Sequence, residues 1–76
     1  MPPSKNQVLR RLGEAIRDER KRQGISQENL ALYAEVNRTY MGSLERGEVN
    51  VSIITIVKIL DVLKIKLSVL LKDAGL

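Results

Sequence analysis

Residues 26–47 read SQENLALYAEVNRTYMGSLERG, and the caps and apolar positions in this stretch decide the fold. Ser26 is placed to cap a helix, because its hydroxyl can accept from a backbone N–H that a first turn leaves unpaired. Leu30, Ala31 and Ala34 then make the apolar stripe of a short helix from Gln27 to Ala34. Glu35-Val36-Asn37 leaves room only for a tight turn, and Asn37 can cap a further short helix from Arg38 to Arg46, which Gly47 ends. At about 100° per residue, Met41, Leu44 and Glu45 of that helix fall on one side, and Thr39, Gly42, Ser43 and Arg46 on the other. The first side suits a core. The second carries two hydroxyls, an Arg and a Gly with no acid among them, flanked by Arg38 and Tyr40 near its N-terminal end.

Two short helices joined by so tight a turn form a helix-turn-helix. The outward side of its second helix suits DNA, since Arg forks match guanine or phosphate, hydroxyls reach phosphates or base edges, and Gly42 removes bulk where a groove wall would approach. Working upstream, Ser4 and Gln7 fit a capping box, and Leu9, Leu12, Ile16 and Arg20 continue along one stripe of a first helix that stops at Gly24. Downstream, Ser52 caps a fourth helix, with Ile53, Ile56, Val57, Leu60 and Leu63 as its core set. That run is rich in β-branched residues, and the alternation Leu63, Ile65, Leu67, Val69 is read as an extended link before Ser68 caps a fifth helix ending near Asp73. The expected architecture is one compact all-α domain of five helices. Residues 1–4 form a flexible arm, 5–76 the domain, 26–46 the motif and 54–76 a dimerisation region.

Composition narrows the function. The chain has 76 residues and neither Cys nor His, so it offers no disulfide, thiolate nucleophile, imidazole base or ordinary zinc site. Glu14 and Asp18 are spaced to share one helix face, but they stand among Arg10, Arg11, Arg17 and Lys21, where ion pairing explains them better than a metal. The reading is a non-enzyme without cofactor, metal or small-molecule ligand. Thirteen basic against nine acidic residues give a net charge of +4, concentrated in residues 1–22 and favouring an anionic partner. The start MPPSKNQVLRR lacks a signal peptide's apolar region, and no stretch approaches the ~20 apolar residues of a membrane span, so a cytoplasmic protein is expected.

Residues 16–71, through ISQENLA and RTYMGSLERG, resemble the Cro and phage-repressor type (Xre-like) helix-turn-helix family, with its lambda-repressor-like fold. Within it, NRTY and LERG followed by Asn50, Val51 and Ser52 are similar to the controller proteins of restriction-modification operons. The resemblance implies a homodimer that sets one recognition helix per subunit into successive major grooves. It assigns Arg38, Thr39, Tyr40, Ser43 and Arg46 to DNA contact, Asn50 to the DNA backbone, and Gln27 to a phosphate or to buttressing the first recognition residue. For Tyr40, packing against the preceding helix stays open. Ser26, Asn37, Ser52 and Ser68 are read as caps rather than nucleophiles. Glu45 lies on the inward side, where a lone carboxylate is costly, and Arg20 continues the buried stripe of the first helix. The family also pairs these positions, so an Arg20–Glu45 ion pair is expected. Glu35 and Lys64 depart from the family pattern, which has Gly at both places.

Residues 47–76 are 17 apolar of 30, more than a small monomer can bury. With no metal or disulfide to reinforce the core, self-association is the expected reinforcement. The expected interface comprises Ile54, Ile59, Val62, Leu67, Leu70 and Leu71, and a two-fold dimer reads a near-palindromic operator on double-stranded DNA. Five helices leave no sensor module, so switching must come from concentration. The functional reading is a sequence-specific transcriptional regulator, the autoregulatory controller of a restriction-modification operon. The alternative is an antitoxin or phage-type repressor whose C-terminal surface binds another protein. Further candidate partners are a second dimer on the same DNA and RNA polymerase.

Overall fold

Side-chain caps open four of the five helices in the computed structural model, which describes residues 1–76. The helices are α1 (Lys5–Arg22), α2 (Gln27–Tyr33), α3 (Arg38–Glu45), α4 (Ile53–Leu63) and α5 (Leu67–Asp73), with no strand among them. Ser4 and Gln7 form a reciprocal capping box. Ser26 Oγ accepts from Asn29 N at 3.0 Å, Asn37 Oδ1 from Tyr40 N at 3.1 Å, and Ser52 Oγ from Thr55 N at 3.1 Å. Each bond satisfies a donor that the first turn cannot use internally. The bounds predicted for α2 and α3 run one residue long at the C-terminal end, where Ala34 and Arg46 are caps.

The fifth helix corrects the sequence reading. It begins at Leu67 behind Lys66, which supplies no side-chain cap, so Ser68 sits inside the first turn instead of preceding it. The cause lies at Lys64, whose backbone is left-handed at φ 60°, ψ 37°. That turn reverses the chain at once, and Ile65 then packs on the core while its N–H reaches Leu60 O at 3.3 Å. The alternating pattern is therefore a helix stop and a three-residue link, not a strand.

α1 packs on α3 and α5, and α2 packs on α3 and α4. The core is built from Ile16, Leu30, Met41, Leu44, Ile56, Ile59, Leu60, Leu63 and Leu70 with small residues between them. Its α4 stripe is Ile56, Ile59, Leu60 and Leu63, while Ile53 and Val57, predicted inside, are 59% and 54% exposed. Two overlapping stripes of α4 are both aliphatic, so periodicity alone could not choose between them. Burial also corrects the predicted dimer contacts: Ile59 of α4 and Leu70 of α5 are wholly buried in the monomer and cannot touch a second copy.

Two glycines let α1 lie unusually close to the end of α3. A methyl group at Gly13 would stand 2.7 Å from the Glu45 carbonyl oxygen and closer still to that of Leu44. One at Gly47, where φ is +75°, would stand 2.6 Å from Arg10 Cα. Both separations are too short for any side chain to occupy. The opposite end of α1 is tied through Gln23, whose Nε2 donates to Leu63 O at 2.7 Å and to Glu19 at 3.0 Å. Hydrogen bonds from Arg22 and then Gln23 hold the Glu19 carboxyl below the ordinary carboxylate range.

Between α1 and α3 lies the one buried ion pair. Arg20 Nε donates to Glu45 Oε2 at 2.8 Å and Nη2 to Oε1 at 3.0 Å, while Nη1 donates to Ile25 O at 3.0 Å. Gln27 Nε2 adds a bond to Glu45 Oε1 at 3.0 Å, and no buried side-chain polar atom is left without a partner. Arg20→Ala strands the carboxylate in the interior, which should cost about 3 kcal/mol and lower Tm by more than ~10 °C. Calorimetry checks this, and an Arg20→Met/Glu45→Leu double variant should recover much of the loss.

Glu35 and Lys64 both have positive φ, 56° and 60°, and both side chains are exposed. A non-glycine residue in that region is unfavourable by roughly 1 kcal/mol. Glu35→Gly and Lys64→Gly should each raise Tm by about 4–8 °C in thermal melts.

Candidate nucleic-acid interface

The core residues of α3 fix which of its side chains meet solvent. Met41, Leu44 and Glu45 are buried, and this rotation leaves Arg38 and Thr39 exposed at the N-terminal end and Arg46 exposed at the C-terminal cap. Ser43 lies between them, half-buried, with its Oγ accepting from Arg46 Nη2 at 3.3 Å. Thr39, Ser43 and Arg46 share one side of the helix, and Arg38 stands on its flank. Tyr40 is half-buried and packed against the core, so its ring serves the fold while its edge stays open on the flank. Asn50 is exposed in the connector before α4.

Gly42 corrects the helical-wheel reading. It is buried, because Arg46 Nη1 and Gln27 Oε1 lie 3.2 and 3.4 Å from where its Cβ would be. Its small size makes room for those two side chains, not for a groove wall. Gln27, the first residue of α2, is thereby laid against α3 and tied to Glu45, which joins the α2 N-terminus to the buried ion pair.

Two acids border this face that the reading of α3 alone missed. Arg46 Nε lies 3.1 Å from Glu48 Oε1, and Arg38 Nε 4.0 Å from Glu28 Oε2. All four side chains are more than half exposed, so these pairs are weak and exchangeable. The Arg46–Glu48 pair was legible as neighbours in sequence. Glu28 comes from α2, and its approach to Arg38 depends on the turn between the helices.

The expected dimer positions divide. Ile54 and Leu67 are 68% and 37% exposed, Val62 and Leu71 are half-buried, and Ile59 and Leu70 belong to the core as described. Val57 and Val69, inside the predicted dimerisation region but not among its named contacts, are also exposed, as is Ile53 just outside it. Leu12, Val51, Ile53, Ile56, Leu67 and Leu71 line an open groove of about 250 Å³ with no polar residue in its wall.

An exposed helix face of Arg and hydroxyl side chains, on a short helix packed against the short helix that precedes it, is the arrangement of a major-groove reader. No helix is long and apolar enough to cross a membrane. The chain is 38% identical to the control protein C.MunI of a Mycoplasma species over 69 residues, covering 90% of this chain and 93% of that protein. Its structure is similar to the crystal structure of the restriction-modification controller protein C.AhdI from Aeromonas hydrophila, with TM-score 0.79 and 39% identity over 82% of this chain and 94% of that one. It is also similar to C.Esp1396I bound to a 25 base pair operator site, with TM-score 0.80 and 26% identity over 90% of each chain. The profile of the helix-turn-helix family matches residues 16–70, and with the buried α1–α3 pair, the two short helices and the exposed Arg-and-hydroxyl face in place, the chain belongs to that family.

Proposed function

We propose that the protein is a sequence-specific DNA-binding regulator of transcription and the controller of a restriction-modification operon. The observation that carries this reading is the outer side of α3, where Thr39 and Arg46 are exposed with Ser43 half-buried between them and Arg38 exposed on the flank, while Met41, Leu44 and Glu45 are buried. Its likeness to controller proteins, one of them solved on its operator, supports the same reading.

In this mechanism α3 enters the major groove. Arg38 and Thr39 at its leading end read base edges, with Ser43 and Tyr40 beside them, while Arg46, Asn50 and Gln27 hold the phosphate backbone. Arg46 exchanges its Glu48 partner for a phosphate on binding. A second copy covers the apolar surface of α4 and α5, where Leu67 borders both Ile53 in the groove and Val57 across the α4–α5 corner. The resulting dimer presents two copies of α3 to half-sites ~34 Å apart. Because free monomers bind each half-site weakly, occupancy of the protein's own promoter climbs steeply as the dimer forms, which suits autoregulation.

Arg38→Ala should weaken binding by ~1–3 kcal/mol and relax preference at one base pair of each half-site, as competition among duplexes selected from a random library will report. Ile53→Glu places a carboxylate in the first turn of α4, where the helix dipole favours it, so the variant stays folded. Sedimentation should find that variant monomeric at a concentration where the parent is dimeric.

A further inference from the structure

Beside the recognition face lies an open concavity of about 630 Å³ whose lining contains no hydrophobic residue. Its floor is the Arg20–Glu45 pair, whose charges cancel. Arg10, Glu14 and Arg17 line one side; their spacing of four and three residues puts them on one face of α1. Gln27 and Arg46 line the other side, and both also border the face of α3 already described. Three guanidinium groups line the rim with one carboxylate, Glu14, and of the three only Arg46 has an acid partner, Glu48, which lies outside the hollow. Arg10 and Arg17 are exposed, and neither makes an ion pair with Glu14 or with any other acid.

The close approach of α1 to α3 at Gly13 and Gly47 creates this juxtaposition, since it brings the Arg10 backbone against the end of the recognition helix. Arg10 also precedes residues 16–70, the span that the family profile matches. A surplus of unpaired guanidinium groups in an open, wholly polar hollow attracts a phosphate-like anion. The sharing of Gln27 and Arg46 with the α3 face makes a DNA backbone phosphate the fitting occupant.

We infer that this concavity seats a backbone phosphate flanking the base pairs read by α3, with Arg10 and Arg17 as DNA contacts outside the helix-turn-helix. The inference rests on the DNA-binding reading and extends it to α1. The contacts carry no base information, so they act equally on every sequence. Glu14 opposes them and moderates the affinity.

The test compares Arg10→Gln/Arg17→Gln, Glu14→Gln and the parent on two labelled duplexes, one selected from a random library and one of scrambled sequence, across a sodium chloride titration. The double variant should lose roughly tenfold or more on both duplexes alike, with a salt slope flatter by about 0.9 for each phosphate contact removed and an unchanged melting temperature. Arg10→Lys/Arg17→Lys should retain most of the slope, and Glu14→Gln should tighten both duplexes. Unaltered affinity and slope in the double variant, or a loss confined to the selected duplex, would overturn the inference. So would binding of inorganic phosphate to the hollow with no change in DNA affinity, which would make it a site for the free anion. Arg38→Ala, run alongside, reports on α3 separately: if base preference ignores it, the recognition reading fails, while the scrambled duplex still decides the role of α1.

Discussion

The two charges buried between α1 and α3 are the constraint on which the rest of this small structure depends. Aliphatic contacts are non-directional and would let α3 roll on its seat by tens of degrees with little change in buried area. The Arg20–Glu45 fork does not, because two parallel N–H···O bonds and a third from Gln27 fix both the distance and the rotation of the helix. That rotation determines which side chains of α3 meet solvent. The pair also extends its influence in both directions, through Ile25 O to the loop before α2 and through Gln27 to the start of the motif. Replacing such a pair with hydrocarbon need not unfold a protein; what it gives up is the directionality of the fork.

Much of the architecture was legible because its punctuation is local. Ser4, Ser26, Asn37 and Ser52 announce their helices through a hydrogen bond made three residues on, and that chemistry needs no knowledge of the fold. The face of α3 was legible for a related reason, since its apolar and polar positions separate cleanly at helical spacing. Where a segment is aliphatic all round, the same method fails. In α4 the stripe through Ile59 and the stripe through Ile53 and Val57 are equivalent in sequence, and only packing on the shared core selects the first. Lys64 shows another limit, because the lysine itself does not announce a left-handed backbone and only the family pattern, which has Gly at that place, points to one.

Tertiary juxtaposition was the least visible level. Gly13 looks like an ordinary weak spot in a helix, and its use appears only when the carbonyls of Leu44 and Glu45 are seen against it. Gly42 reads as outward on a wheel, yet the side chains of Gln27 and Arg46 cover it. Arg10 and Arg17 likewise read as ion-pair neighbours of Glu14 and Asp18, pairs that the structure does not form, until α3 is set beside them. In each case the signal belongs to a pair of elements, and a one-dimensional periodicity carries information about one element at a time.

The acids at Glu28 and Glu48 have a consequence for the way such a protein searches a genome. Each supplies its neighbouring arginine with an internal counter-ion, so a passing stretch of DNA must compete with a carboxylate that is always present at high effective concentration. Mismatched sequence, offering phosphates but poor base contacts, loses more of its net attraction to this competition than a true operator does. Dwell time on the wrong DNA shortens accordingly.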